Sequence, residues 1–328
     1  MKQTLTRRHW LANTAGGLLG LACPAWSAVP APQDGTWTDG ARQRALPWRL
    51  RLPAAPDAAA MWPVVVYSHG LGGSREGGAL WGEAWAAAGV AVLHLEHEGS
   101  NTTTARAGVR QLRHAASAEQ LRARVADMRF ALDEMQRLAS QGHAPWAALR
   151  LDAVGVAGHS FGAHTTQAVA GQRYAVAADV ADPRPKAFIA LSPSSPAGER
   201  MGLQESFGAI TRPFMAVTGS LDGDPLGSYD GGEPRAAVYD GLPPGQRALL
   251  WLDGADHMSF GGGRPGGVGA RMLRRRPAAA TAGQATHQAV VAQITTDWWR
   301  AHLLGDAVAH KALLRPQGLG PKDRFVLG

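Results

Sequence analysis

The sequence predicts an α/β protein with a mostly parallel, doubly wound sheet that helices cover on both faces. Short apolar runs recur along the chain and alternate with stretches of helical periodicity. The runs are apolar throughout, which is typical of strands buried on both faces of a parallel sheet. Of the 328 residues, 45% are hydrophobic and 18% are charged, an ordinary composition for a globular protein. We expect a single domain over residues 29–312 and a C-terminal tail at 313–328.

The predicted elements follow one another along this domain. Residues 35–52 are expected to form an antiparallel edge hairpin, and 62–68 a strand that ends at His69-Gly70. A helix from Ser74 or Arg75 to Ala88 comes next. The remaining strands are expected at 90–95, 151–157, 187–191, 214–218 and 248–252. The remaining helices are expected at 118–139, 160–171 and 284–304.

Long connections follow several of these strands, at residues 96–117, 192–212, 221–246 and 261–283. Ligands of open α/β sheets bind beyond the carboxyl ends of the strands, so these connections are expected to form the pocket walls. The connection after the sixth strand is close to the loop lengths of compact domains. We therefore expect no large cap domain, and a fairly open pocket for short acyl groups.

Residues 1–28 are predicted to be an export signal of the bacterial twin-arginine type. The pair Arg7-Arg8 precedes a weakly apolar stretch of small residues that ends near Ala28. A short buried N-terminal helix is the alternative. The signal predicts a periplasmic or secreted protein. The only cysteine, Cys23, lies within it, so disulfides, thiolate metal sites and a cysteine nucleophile are not expected in the mature chain.

A candidate nucleophile lies in segment 158–162, which reads Gly-His-Ser-Phe-Gly. The segment follows an apolar run and opens a helical stretch, which is the strand–turn–helix setting of a nucleophile elbow. Ser160 would present its hydroxyl there, and the flanking glycines would avoid collisions with the neighbouring strand and helix. The pattern predicts the α/β-hydrolase fold. A serine that only caps the helix is the alternative.

A serine hydroxyl needs a base, and in this fold the chain order is Ser, then Asp or Glu, then His. His257 directly follows the strand at 248–252 and is the expected base. Asp222 lies in the turn after the strand at 214–218 and is the expected acid, with Asp224 as a close alternative. Both aspartates could instead only shape the turn. The other later histidines lie in the last helix or the tail: His287, His302 and His310.

Two backbone amides are expected to hold the oxyanion of a tetrahedral intermediate. One belongs to Phe161, directly after the nucleophile. The other belongs to Leu71, in the glycine-rich loop 68–74. The alternative for this loop is a plain flexible turn.

Two other features are weaker signals. Segment 94–97, His-Leu-Glu-His, lacks the spacing of a helical zinc motif and ends a strand, so no metal is expected. We instead expect His97, Glu98 or Asn101 to line the pocket. The net charge is +7, but the basic run at 271–276 stands alone, so neither nucleic acid nor a stable partner is predicted.

Several segments resemble the bacterial "predicted dienelactone hydrolase" group, which is similar to platelet-activating-factor acetylhydrolases and polyester hydrolases. They are residues 68–75, 97–101, 158–162, 257–260 and 297–306, within a resemblance that covers roughly 60–312. The resemblance implies a serine esterase without a cofactor. It also implies the site residues Ser160, Asp222, His257, Leu71 and Phe161. Two departures are the serine where true dienelactone hydrolases have cysteine, and Glu98 where the group often has proline.

The sequence thus predicts hydrolysis of a carboxylic ester, of a small molecule or a lipid, through an acyl-enzyme. A lipase, a phospholipase A2-like acetylhydrolase or a polyester hydrolase would differ only in the pocket. An amidase or peptidase would use the same residues. A binding protein on the same fold is a further alternative, although such a protein would normally lack a triad member.

Overall fold

The computed structural model describes residues 30–54, 60–175, 180–195, 201–263 and 276–328. The predicted export signal at 1–28, with Cys23, and most of the basic run at 271–276 lie outside the described residues. Within these ranges, no helix has the length and apolar character needed to cross a membrane.

One sheet of nine strands forms the centre of the described chain, in the order β1-β2-β4-β3-β5-β6-β7-β8-β9. Strands β3 to β8 are parallel, whereas β1, β2 and β9 run antiparallel to their neighbours at the two edges. The strands are β1 (Gln33–Asp39), β2 (Arg44–Arg51), β3 (Trp62–Ser68), β4 (Ala91–Leu95), β5 (Leu149–His159), β6 (Ala187–Leu191), β7 (Phe214–Leu221), β8 (Arg247–Asp256) and β9 (Arg324–Leu327).

Helices cover both faces of this sheet. They are α1 (Ala79–Ala87), α2 (Thr102–Arg106), α3 (Val109–Ala115), α4 (Ala118–Ser140), α5 (Phe161–Ala170), α6 (Leu203–Phe207), α7 (Glu233–Gly241), α8 (Ala278–Leu303) and α9 (Ala307–Leu314). One apolar core lies between the sheet and α4 to α7, and a second lies between the sheet and α1, α8 and α9. The predicted doubly wound α/β architecture and its edge hairpin are confirmed.

Helix α4 shows how a local pattern fixes both a start and a buried face. The side chain of Ser117 accepts a hydrogen bond from the Gln120 amide (3.3 Å), which caps the helix. Apolar residues at helical spacing face the core, among them Val125, Met128 and Leu132. The same buried face also carries two charged residues, Arg124 and Asp127, whose contacts are described below.

The C-terminal end differs from its prediction as a tail at 313–328. Residues Arg324–Leu327 pair antiparallel with β8 and complete the sheet as β9. The segment is only four residues long and follows a Gly/Pro/Lys stretch, so its pattern is too short to predict a strand. The first helix also differs, because α1 begins at Ala79, after turns at 74–78, and not at Ser74 or Arg75.

Buried histidines should make the fold sensitive to acid. Burial lowers the pKa of His94 and of His159 to about 3, and that of His97 to about 4, from an ordinary value of 6.5. Between these values the unfolded chain binds more protons than the folded one, so stability is lost as the pH falls below 6.5. Each such histidine contributes about 1.4 kcal/mol to this loss per pH unit.

We therefore expect the free energy of unfolding, measured in guanidinium at constant ionic strength, to fall steeply from pH 6.5 to pH 4.5. His94→Leu should reduce this slope. A stability that stays flat over this range would contradict the prediction.

Candidate active site

Ser160 lies between β5 and α5, at the carboxyl edge of the sheet. Its backbone has φ 56° and ψ −117°, a left-handed conformation that is unusual for a residue with a side chain. The turn is very tight, because a Cβ on Gly158 would collide with the carbonyl of Gly162, and one on Gly162 with the carbonyl of Ser68. The strained turn projects the Ser160 hydroxyl into a cleft.

His257 comes directly after β8 and reaches Ser160 from the side. Its Nε2 lies 2.9 Å from Ser160 Oγ, and its Nδ1 lies 2.8 Å from Asp222 Oδ1. Asp256 fixes the start of this turn, because its carboxylate accepts the Ser259 amide (3.0 Å) and pairs with Arg276 (2.7 Å). The structure thus brings together the three residues that the sequence selected as nucleophile, base and acid.

The two candidate acids have different contacts. Asp222 is fully buried and contacts His257. The carboxylate of Asp224 instead accepts the amides of Leu226 (3.2 Å) and Ser228 (3.0 Å) in its own loop. Asp224 lines the cleft, but its carboxylate is committed to shaping that loop.

Asp222 is held by a residue that the sequence analysis missed. The guanidinium of Arg235, on α7, lies 3.0 Å from Asp222 Oδ1 and donates to the backbone carbonyl of Asp222 at 2.8 Å. Thr218 donates to the other carboxylate oxygen at 2.9 Å. Burial alone would raise the pKa of Asp222, but Arg235 and His257 outweigh it and hold that pKa below its ordinary value. Asp222 is therefore ionised at neutral pH.

His159 was also missed, although it lies within the elbow motif. Its Nε2 is 2.9 Å from the carbonyl oxygen of His257, and the two rings are 4.6 Å apart. Burial lowers the pKa of His159 to about 3, so its ring is neutral and Nε2–H donates this hydrogen bond. His159 therefore anchors the loop that carries His257.

The two residues whose amides are expected to hold an oxyanion, Leu71 and Phe161, line the same cleft as Ser160. Phe161 is the first residue of α5, so its amide has no partner within the helix. Leu71 lies in the loop after β3. The Gly72 amide fixes that loop by donating to the carbonyl of Ser100 at 2.9 Å.

A second hydrogen-bonded serine, histidine and aspartate lie beneath this loop. Ser68 Oγ is 2.9 Å from His97 Nε2, and His97 Nδ1 is 2.9 Å from Asp127 Oδ2. All three residues are fully buried, so no substrate can reach Ser68. The expectation that His97 lines the pocket was therefore wrong. Glu98 and Asn101 do not line it either, since Glu98 is exposed elsewhere and Asn101 caps α2.

The cleft has a volume of about 1390 Å³ and is lined by both apolar and polar residues. The Leu71 loop, α2 and α3 contribute the apolar Leu71, Ala105, Val109 and Leu112, and the polar Thr102 and Arg113. The loops after β6 and β7 contribute the polar Ser194, Asp224, Ser228 and Tyr229, and the apolar Pro225 and Leu226. In the part of the chain that the structure describes, no group of three or more His, Cys, Asp or Glu side chains could hold a metal ion.

Residues 48–144 match the family model described as platelet-activating factor acetylhydrolase, isoform II. The matched segment runs from β2 to just beyond α4, includes the Leu71 loop and ends before Ser160. The match confirms the similarity to this family that the sequence motifs indicated, and with the sheet it confirms the α/β-hydrolase fold. No curated protein matches the chain. The chain is therefore similar to hydrolases that act on ester bonds.

Proposed function

We propose that the protein is a serine hydrolase that cleaves carboxylic esters through an acyl-enzyme. The proposal depends mainly on one observation, the continuous chain of hydrogen bonds from Ser160 Oγ through His257 to Asp222, with distances of 2.9 and 2.8 Å. This chain begins at a serine in the cleft and ends at a buried, ionised carboxylate. That is the arrangement needed to activate a hydroxyl at neutral pH.

In the first half of the reaction, Ser160 Oγ bonds to the ester carbonyl carbon while His257 Nε2 takes the hydroxyl proton. The carbonyl oxygen becomes an oxyanion, which accepts hydrogen bonds from the amides of Leu71 and Phe161. The C–O bond to the alcohol then breaks, and the imidazolium of His257 gives its proton to the leaving oxygen. An acyl ester of Ser160 is left.

In the second half, water takes the place of the alcohol. His257 removes a proton from the water as its oxygen attacks the acyl carbon, and then returns the proton to Ser160 Oγ as the carboxylic acid leaves. Asp222 stabilises the imidazolium in both halves. The partial positive charge at the start of α5 favours the oxyanion throughout.

For the substrate, we propose a small-molecule or lipid ester with a short acyl group. Apolar residues of the Leu71 loop, α2 and α3 provide a surface for a short hydrocarbon group, and the polar residues of the cleft provide hydrogen-bonding partners for the rest of the molecule. The match to a platelet-activating factor acetylhydrolase favours an acetyl ester of a lipid as the second, narrower candidate.

Hydrolysis of p-nitrophenyl esters from acetate to palmitate tests this proposal, together with labelling by a fluorophosphonate and peptide mapping. We expect the highest kcat/KM on short acyl chains and one adduct, on Ser160. Activity that rises toward palmitate would replace the short-chain proposal with a lipase. No hydrolysis at any length, or an adduct on another serine, would contradict the proposed function.

A further inference from the structure

Arg124 is a buried cation that the proposed reaction does not use directly. It lies on the inner face of α4 beneath the Leu71 loop and is fully shielded from solvent. Its guanidinium donates to the carbonyl oxygen of His69 at 2.6 Å and, at 3.5 Å, to that of Gly70. Its Nε donates to Ser100 Oγ at 2.9 Å. Arg124 is therefore attached to the two residues that directly precede Leu71.

The same guanidinium also contacts the second segment of the proposed oxyanion hole. Its central carbon lies 4.4 Å from the centroid of the Phe161 ring, within the range of a cation–π contact. One rigid, planar group thus joins the loop of Leu71 to the side chain of Phe161. These two residues carry the two amides proposed to bind the oxyanion.

No carboxylate among the described residues forms an ion pair with Arg124. The charge of Asp127, one turn further along α4, favours protonated Arg124 from a distance, but its carboxylate pairs with Arg42 (2.7 Å), Arg44 (2.7 Å) and His97 (2.9 Å). Burial lowers the pKa of Arg124 to about 9, so the group stays protonated at neutral pH. A buried charge without a carboxylate in direct contact is costly to the fold, so a contribution to function would explain its presence.

We propose that Arg124 is a positioning residue for the oxyanion hole. It fixes the separation of the Leu71 and Phe161 amides, and its charge favours the developing oxyanion from below. The inference rests on the proposed function. Arg124 touches neither the substrate nor the reacting atoms, and it contributes only when the oxyanion forms. Its loss should therefore lower kcat and leave KM nearly unchanged.

Arg124→Met and Arg124→Lys test this role in the full-length protein. We measure kcat and KM on p-nitrophenyl acetate. The rates are divided by the amount of Ser160 that the fluorophosphonate labels when the labelling reaction is complete, so that unfolded protein is excluded. For Arg124→Met we expect kcat to fall by about 10² to 10³-fold, the scale of a lost oxyanion donor, with KM within about threefold. Arg124→Lys should restore little of the lost kcat, because lysine lacks the planar guanidinium that donates several hydrogen bonds and stacks on the Phe161 ring.

Arg212→Met is the matched control. Arg212 is half-buried, donates to the carbonyls of Ala170, Asp182 and Pro185, and stacks 4.9 Å from the centre of the Phe188 ring. It has the same kinds of contact as Arg124 but does not line the cleft. Its loss should lower stability and leave kcat per labelled site unchanged.

The proposal is overturned if Arg124→Met keeps kcat per labelled site within about threefold of wild type, or if only KM changes. It is also overturned if Arg212→Met loses as much kcat. If the Arg124 variants do not fold, Ser100→Ala, which removes the acceptor of Arg124 Nε, should lower kcat several-fold, and an unchanged kcat overturns the proposal. A wild-type protein that neither hydrolyses esters nor labels at Ser160 would instead refute the proposed function.

Discussion

Replacing Ser160 with alanine is expected to lower kcat on p-nitrophenyl acetate by about 10⁴ to 10⁶-fold, the scale of losing a triad nucleophile. Without Oγ no acyl-enzyme can form, and only substrate binding and the oxyanion amides remain to assist attack by water. The alanine side chain fits the same turn, so circular dichroism and thermal unfolding should stay close to wild type. Activity is measured at saturating substrate, and labelling by the fluorophosphonate should disappear.

Ser68→Ala is the matched control for this experiment. Ser68 is also hydrogen-bonded to a histidine, His97, that in turn contacts an aspartate, Asp127. Unlike Ser160, however, Ser68 is fully buried together with both of these residues. The variant should therefore still take one fluorophosphonate, on Ser160. If Ser160→Ala keeps a rate near that of wild type, or if Ser68→Ala abolishes labelling, Ser160 is not the nucleophile.

Replacing Asp222 with asparagine is expected to lower kcat at neutral pH by about 10⁴-fold, as the loss of a triad carboxylate does elsewhere. The neutral amide can hold the His257 ring in the wrong tautomer, and it no longer stabilises the imidazolium. It also leaves the guanidinium of Arg235, which lies 3.0 Å from Asp222 Oδ1, without its carboxylate. Rates per labelled Ser160 at pH 7 measure the effect.

Asp224→Asn distinguishes the two aspartates of the same loop. The Asp224 carboxylate accepts the Leu226 amide with one oxygen and the Ser228 amide with the other, and asparagine keeps one of these two acceptors. We expect kcat to stay within about fivefold of wild type. Equal losses in the two variants would mean that the loop as a whole, and not the carboxylate of Asp222, is needed.

The strands and the elbow could be predicted because both are local patterns. Apolar runs identify buried strands, and the spacing of Gly158, Ser160 and Gly162 reflects steric demands within one turn. The choice between Asp222 and Asp224 could not be settled in this way. The sequence pattern places both aspartates in one turn. The direction of each side chain depends on the way β7 pairs with β8 at its end, which the pattern does not specify.

Two of the residues that sequence reasoning missed share a different property. Arg124 and Arg235 are buried cations that bind backbone carbonyls of segments distant in the chain. Such contacts leave no periodic pattern, and an arginine on a helix is normally expected at the surface. The contact of His97 with Asp127 also joins two different elements, so nothing in the sequence indicated it. His97 was therefore wrongly assigned to the pocket wall.

The final strand has a consequence for the order in which the sheet is completed during synthesis. Gly328 exchanges backbone hydrogen bonds of 3.0 and 3.2 Å with Arg247, at the start of the strand that leads to His257. Chains emerge from the ribosome N-terminus first, so β8 is made before its edge partner β9. Until β9 pairs with it, β8 is an open edge strand, which is a template for association between chains.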